Sequence, residues 1–502
     1  MIGGYKMSKN KLSKRLAALS AAMAFVFAQS AFAADNVNGD KAANVVELNL
    51  QQAMEKAFAT NPAIKIAGYE KDSARANLNA ARQSRGITIT GQHQTTRGGY
   101  NDDQFAGGGY TFDNKGQAVY VPRYNAGKGI QNNHTNSINA SIPIYTGGQL
   151  SGTIQQAKAN YKSYLVGEQR AYNEMRSTVT NSYYDMLQAD NVQKLNRESV
   201  TQLADHLKNV QAQYAVGVVA KVDVLRSEVE LANAQQSLIQ AENGYQIAEA
   251  NLNKIVGLPM DTTLKLQDRL EYTPYENDMA YCLQYAEKNR PELEQAKQAV
   301  EAAKGALKVA RSGYQPQISA SASQSWSDTN WPGDENGNWG VGIGVSMNIF
   351  DTGVTMSRIH GAEADLAKAE ENYRDVNDSI MLEVRSDYLG LREAEKRINT
   401  TKVAVSKAEE DFHIAQVRYM AGVGTNTDVL DAQVALTTAK NNYVQSLYDY
   451  NTSRTALETA IGVPMAFPHK VSVAPLKAAA ADTKESADKP VISNVPVKND
   501  AK

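Results

Sequence analysis

The sequence predicts a mixed α/β membrane protein in which short β-strands cross the membrane and long helical hairpins run on from them. Three observations carry this prediction. The chain repeats one unit twice, each unit holds two segments that alternate apolar and polar residues, and each then continues through a long stretch almost free of proline and glycine.

The first element is a leader. Lys6, Lys9, Lys11, Lys14 and Arg15 precede an apolar run from Leu16 to Phe27, and Ala31-Phe32-Ala33 supplies small residues for cleavage before Ala34. This is the pattern of a signal peptide over residues 1–33. The competing reading, a membrane anchor, is the weaker one, because the run is shorter than the roughly 20 residues a spanning helix needs. Alanine rather than cysteine follows the site, so no lipoprotein start is indicated. No later segment is apolar enough to be a transmembrane helix, which leaves a β-barrel as the way for this chain to cross a membrane.

The repeat comes next. Tyr214 to Leu231, "YAVGVVAKVDVLRSEVEL", superimposes on Tyr419 to Leu436, "YMAGVGTNTDVLDAQVAL", at an offset of 205 residues. The same offset pairs Ile144 with Ile349, Gly148 with Gly353, Tyr183 with Tyr388, Gly217 with Gly422, Asp223 with Asp428 and Gly257 with Gly462. Upstream the offset becomes 229, pairing Pro62 with Pro291 and Leu78 with Leu307, so copy one carries 24 extra residues. They fall in a Gly-, Asn- and Asp-rich region read as an exposed loop over residues 96–136. The units are therefore 34–260 and 261–466, the second with its own loop at 326–340. A polar tail over 467–502, rich in Ala, Lys, Asp and Pro, reads as disordered.

Each unit reads as helix, strand, loop, strand, very long helix, tight break, long helix. Ile87 and Ile89 open the first strand, and Ile138, Ala140, Ile142 and Ile144 line one face of the second. Ile318, Ala320 and Ala322 line the third, and Val341, Ile343, Val345, Met347 and Ile349 the fourth. The residues between are mostly Thr, Ser, Asn and Gly, which suits strands of about ten residues with lipid on one face and water on the other. A soluble sandwich would show the same alternation; the leader and the length of the helices favour the barrel. Trp326, Trp331 and Trp339 cluster around the second strand turn, as an interfacial aromatic girdle would. Four strands cannot close a barrel, since about eight is the smallest that works, so the chain is expected to associate with copies of itself.

Composition excludes other classes. A net charge of −2 argues against a nucleic-acid binder. The single cysteine, Cys282, forms no redox or zinc motif, and the six histidines form no HExxH-like grouping. With no convergent polar constellation, neither an enzyme nor a cofactor or metal site is expected.

In their order and duplication, "LNLQQAMEKAFATNP" at 48–62, "IPIYTGGQ" at 142–149, "MNIFDTGV" at 347–354 and the two YxxG…DVL junctions resemble the TolC family of outer-membrane efflux and secretion channels. The resemblance spans residues 48 to 465. It implies a homotrimer with a 12-stranded barrel in outer-membrane lipid, continued by an α-helical tunnel through the periplasm. It also implies an exit channel for a tripartite efflux or type I secretion system. The implied partners are a periplasmic adaptor and an inner-membrane pump of RND, ABC or MFS type. A periplasmic adaptor or coiled-coil scaffold is the alternative; it would share the leader and hairpins but lack paired two-faced strands before each hairpin.

The tips, near 215–222 and 420–427, are where each long helix must stop and reverse. Gly217 and Gly422 stand where a left-handed conformation is needed, and Thr425, Asn426 and Thr427 are candidate N-caps. Asp223 and Asp428 fall in first helical turns, where capping alone would account for them. Capping does not account for Asp431, which the repeat sets opposite Arg226. Asp428 and Asp431 are three apart and share a helix face, so three copies about an axis would stack carboxylates into a cation-preferring constriction. The resemblance implies that role for both aspartates, and a closing bond between Tyr419 and Asp223. The family's arginine and threonine at a second link are Gly424 and Val222 here, which implies a closed state with fewer polar ties. Gly217, Val218, Gly422 and Val423 match the family's adaptor-docking tips.

Overall fold

A computed structural model describes residues 45–99, 105–106, 109–113, 115–122, 124–125 and 130–463. The expected leader over 1–33 and tail over 467–502 lie outside the described residues. Each half opens with two short helices: α1 (Leu50–Thr60) and α2 (Pro62–Gln83) in the first, α5 (Met279–Asn289) and α6 (Pro291–Arg311) in the second. Their starts are written locally. Asn49 and Gln52 form a reciprocal capping box on α1, Asp278 caps α5, and Pro62 and Pro291 occupy first-turn positions where proline's missing N–H costs nothing.

The long helices follow the strands. α3 (Gln149–Ala215) and α7 (Val354–Met420) each run for 67 residues, and α4 (Lys221–Val256) and α8 (Asn426–Ala460) return along them. At about 1.5 Å per residue, α3 and α7 each reach roughly 100 Å. Both start after a left-handed glycine, Gly148 and Gly353, that turns the chain out of a strand. Among the described residues no helix is long and apolar enough to cross a membrane.

The helices are gathered by two related cores. Tyr183, Met186, Leu252 and Leu264 pack with Ala53 and Ala57 in the first half, while Tyr450, Leu391, Leu457 and Cys282 pack with Ala286 in the second. Both buried tyrosines satisfy their hydroxyls: Tyr183 donates to Asp268 at 2.7 Å and Tyr450 to the Thr273 carbonyl at 2.6 Å. The join between the halves adds a strand pair, β1 (Val45–Leu48) with β8 (Thr263–Leu266).

The main sheet has four antiparallel strands in the order β10-β9-β7-β2, formed by β2 (Thr88–Gly99), β7 (Ile130–Tyr145), β9 (Gln317–Asp328) and β10 (Asn338–Ser346). Its register sorts the side chains row by row. Ile89, Ala140, Ala322 and Val341 form one cross-strand row, and the next row is Thr88, Ser141, Ser321 and Gly342. Because successive rows point to opposite faces, one face is apolar in the rows next to the helices and turns polar toward the loops, with His93, His134, Arg97 and Asp328, while the other carries neutral polar groups throughout. The apolar face is uncovered, with Val341 75% and Ile343 72% exposed. The outer edges of β2 and β10 have no strand partner among the described residues.

Several sequence expectations are corrected here: the first strand opens at Thr88, leaving Ile87 just outside it, and the loop expected over 326–340 shrinks to 329–337 because β9 runs on to Asp328 and β10 starts at Asn338. The fourth strand stops at Ser346, so Met347 and Ile349 lie beyond the ladder. A bulge lies between Pro143 and Tyr145, so Tyr145, not Ile144, stands opposite Ile318 and the regular alternation ends early. The loop expected over 96–136 is shorter, because polar cross-strand pairs such as Thr95 with His134 keep the ladder going from Gly99 to Ile130. Within that interval lie four more short strands: β3 (Phe105–Ala106) pairs with β6 (Tyr124–Asn125), and β4 (Gly109–Phe112) with β5 (Ala118–Val121). The opposite loop is pinned to β7: Asn136 donates to the carbonyls of Pro332 at 2.9 Å and Gly333 at 2.8 Å, while Trp331 packs edge-on against His93 and His134.

Candidate functional site

The sequence-selected residues gather at the far ends of the two hairpins. α3 ends at Ala215, and Gly217, at φ +80°, lets the Val218 N–H fold back to the Gln213 carbonyl at 2.9 Å. α7 ends at Met420, and Gly422, at φ +73°, lets the Val423 N–H reach the Arg418 carbonyl at 3.0 Å. Both turns satisfy helix-end carbonyls that would otherwise be orphaned. Turns this tight leave little inward-facing surface, so Val216, Val218 and Val423 stand in solvent. Gly424 is fixed by packing, since a β-carbon there would sit 3.0 Å from the Tyr419 nitrogen and 3.1 Å from Arg418 atoms.

The restarting helices differ. Thr425 caps α8 in a full reciprocal box: the Asp428 N–H donates to the Thr425 hydroxyl at 3.2 Å, and the Thr425 N–H donates to the Asp428 carboxylate at 2.9 Å. In the first copy Ala220 has no side-chain oxygen, so only half the box remains, from the Ala220 N–H to Asp223 at 3.3 Å. The Thr425 backbone N–H and hydroxyl, then the Arg418 charge, hold the Asp428 carboxyl below the usual carboxylate range.

Asp428 and Asp431 are both exposed, on the side of α8 away from buried Val429, Leu430, Ala432 and Gln433. Tyr419 is buried on α7 beside Val210, Val429 and Ala432. Burial, and secondarily the Asp223 charge, push its phenol up. Its hydroxyl has no hydrogen-bond partner among the described residues, so Tyr419 and Asp223 lie near each other without being bonded within the protomer.

Sequence reasoning missed a buried polar group between the hairpins. Asn426, considered only as a capping candidate, is instead the first residue of α8 and only 4% exposed. Its amide nitrogen donates to the Asp223 carbonyl at 3.0 Å and lies 3.2 Å from the Ser227 hydroxyl, while its oxygen lies 2.7 Å from His206 Nε2. Arg226 adds a surface tie, donating to the Thr427 hydroxyl at 2.9 Å. The repeat could not reveal this group, because it pairs Asn426 with Lys221, Ser227 with Ala432 and His206 with Asp411. Among the described residues no cluster of His, Cys, Asp or Glu could hold a metal.

Known proteins extend this picture. The sequence profile of the outer membrane efflux protein family matches residues 53–258 and 282–463, taking in both sheet segments and both hairpins. Outer membrane protein TolC of Escherichia coli K12 is 24% identical over 428 residues, 82% of each chain. The cobalt-zinc-cadmium resistance protein CzcC of Cupriavidus metallidurans is 24% identical over 331 residues, 65% of this chain and 77% of that one. Among solved structures, outer membrane protein VceC of Vibrio cholerae superimposes with a TM-score of 0.67 at 18% identity, covering 82% of this chain and 96% of that one. With a two-faced sheet, doubled helical hairpins and a family match over both halves, the chain belongs to the outer membrane efflux protein family: it is a TolC-type outer-membrane channel and not an enzyme.

Proposed function

We propose that three copies of this chain form a single duct, each lending four strands to a 12-stranded barrel and two hairpins to a periplasmic tunnel. The duct conducts passively, and an inner-membrane pump joined through a periplasmic adaptor supplies the energy. The carrying observation is the sheet itself. An apolar band left bare beside the helices, a neutral polar face behind it and two edges without a strand partner among the described residues leave a lone chain with surfaces and backbone groups that lipid and neighbouring copies would satisfy.

In the trimer α8 turns Asp428 and Asp431 toward the axis, where six carboxylates form the narrow cation-preferring entrance. Their exposure in the protomer supports this assignment. The polar face of the four described strands carries no ionisable side chain, so the barrel adds no charge filter of its own. The exposed tips around Gly217, Val218, Gly422 and Val423 then seat the adaptor. Sizing of the protein extracted from outer membranes tests the assembly: a detergent-borne trimer with heat-modifiable migration is expected, and a freely soluble monomer would refute it.

A further inference from the structure

The tips contain a device that the aspartate entrance does not use. His206 on α3, Asp223 and Ser227 on α4 and Asn426 on α8 converge in one buried polar joint. The Asn426 amide is oriented by its donation to the Asp223 carbonyl. Its oxygen therefore faces His206, and the imidazole must be the tautomer that donates from Nε2. Further from the tip the same two helices, α3 and α8, are tied again, by Gln433 to Gln202 at 2.8 Å, Lys440 to Glu198 at 3.0 Å and Tyr448 to Asp185 at 2.6 Å, but none of these contacts includes a histidine.

We propose that this joint is the closed-state latch between the two hairpins, and that His206 makes the latch acid-labile. The proposal rests on α8 being the gate helix: Asn426 precedes Asp428 by two residues, so whatever frees Asn426 moves the carboxylates. It also answers the departures at Gly424 and Val222. Where the family resemblance implies a lost arginine–threonine link, this chain ties the hairpins at other positions, through Asn426 and through Arg226 with Thr427.

The surroundings of His206 decide the direction of the effect. From α3 itself Asp205 lines the same groove; from α7 the Tyr419 ring lies 5.4 Å from the imidazole. From α4, Asp223 offers its backbone carbonyl to Asn426, and Arg226 is engaged with Thr427. From α8, Asn426 is neutral and the Asp428 carboxylate is turned to the Thr425 N–H. Burial is the main influence on the ring and favours its neutral form, opposed by the Asn426 bond. Folding thus depresses the imidazole pKa. The latch has its full strength above the ordinary histidine value of about 6.5 and weakens as pH falls below it. A proton on the ring leaves the Nε2 bond in place but puts a charge on a ring that is only 8% exposed, and parting α3 from α8 would let more water reach it.

Single-channel recording in planar bilayers at neutral and mildly acidic pH tests the latch. Wild-type conductance is expected to rise several-fold on acidification. His206→Gln, which keeps a donor for Asn426 but cannot titrate, should flatten that rise, and Asn426→Ala should open the channel at neutral pH. A wild-type conductance indifferent to pH, or a His206→Gln channel that responds as wild type does, overturns the latch. Cation preference is read in the same traces: its absence would count against the gate reading, whereas an unaltered pH response in His206→Gln counts against the latch alone.

Discussion

Gly152 on α3 and Gly305 on α6 meet backbone to backbone: a β-carbon on Gly152 would lie 2.7 Å from the Gly305 carbonyl oxygen, and one on Gly305 would lie 2.9 Å from that of Gly152. Neither glycine is needed for a turn, since both sit inside helices. Their value is the close approach of helices that carry the sheet on one side and the long hairpin on the other.

The contact predicts a sign. Glycine to alanine in a helix interior ordinarily stabilises by roughly 0.5–1 kcal/mol, through the unfolded chain. Here Gly152→Ala or Gly305→Ala should destabilise by about 1–3 kcal/mol, because the clash is with backbone that cannot rotate away. Denaturant midpoints of the purified protein in detergent check this; a raised midpoint would show that the helices have room to spare.

The two copies provide an internal control for capping. Thr425→Ala should cost about 1 kcal/mol by removing the hydroxyl that receives the Asp428 N–H. Ala220→Thr should recover a similar amount in the first copy by completing its half box. The Asp428 carboxyl has a folded pKa below its usual 3.8. Its cap is therefore intact above that value and is lost only as pH falls through the lowered one, so it stays charged at neutral and mildly acidic pH. Melting of the three proteins at neutral pH and near pH 5 should show the cap differences unchanged between the two conditions.

The exposed valines at the tips predict a separation of functions. Val218→Asp or Val423→Asp places charge where an adaptor helix would approach, while leaving Gly217 and Gly422 to form their turns. Export should fall to the level of a strain lacking the channel, and the amount of trimer in outer membranes should not change. Undiminished export from both variants would mean that the adaptor binds elsewhere.

How much of this was legible in the sequence depends on the range of the interactions. The tip glycines, the Thr425 cap and the two-faced strands follow from local rules, because a left-handed turn, a helix start and a pleat each involve only a few neighbouring residues. The bulge at Ile144 and the extension of β2 and β7 into the expected loop depend on partners across the sheet, which alternation alone cannot register. The Asn426 joint lies further still from a local signal. It draws on four residues from three helices, and an asparagine directly after a threonine cap reads as one more capping candidate until the partner hairpin is in place. Gly152 and Gly305 are similar: each is an unremarked helix glycine until the two helices are brought together.

On this reading Asp428 and Asp431 make the charged entrance to a duct whose barrel face carries no charge of its own. Reversal potentials across planar bilayers under a salt gradient test it most directly, comparing wild type with Asp428→Asn/Asp431→Asn. Wild type is expected to prefer cations, and the double variant to pass cations and anions almost equally. A double variant with the wild-type cation preference would contradict it.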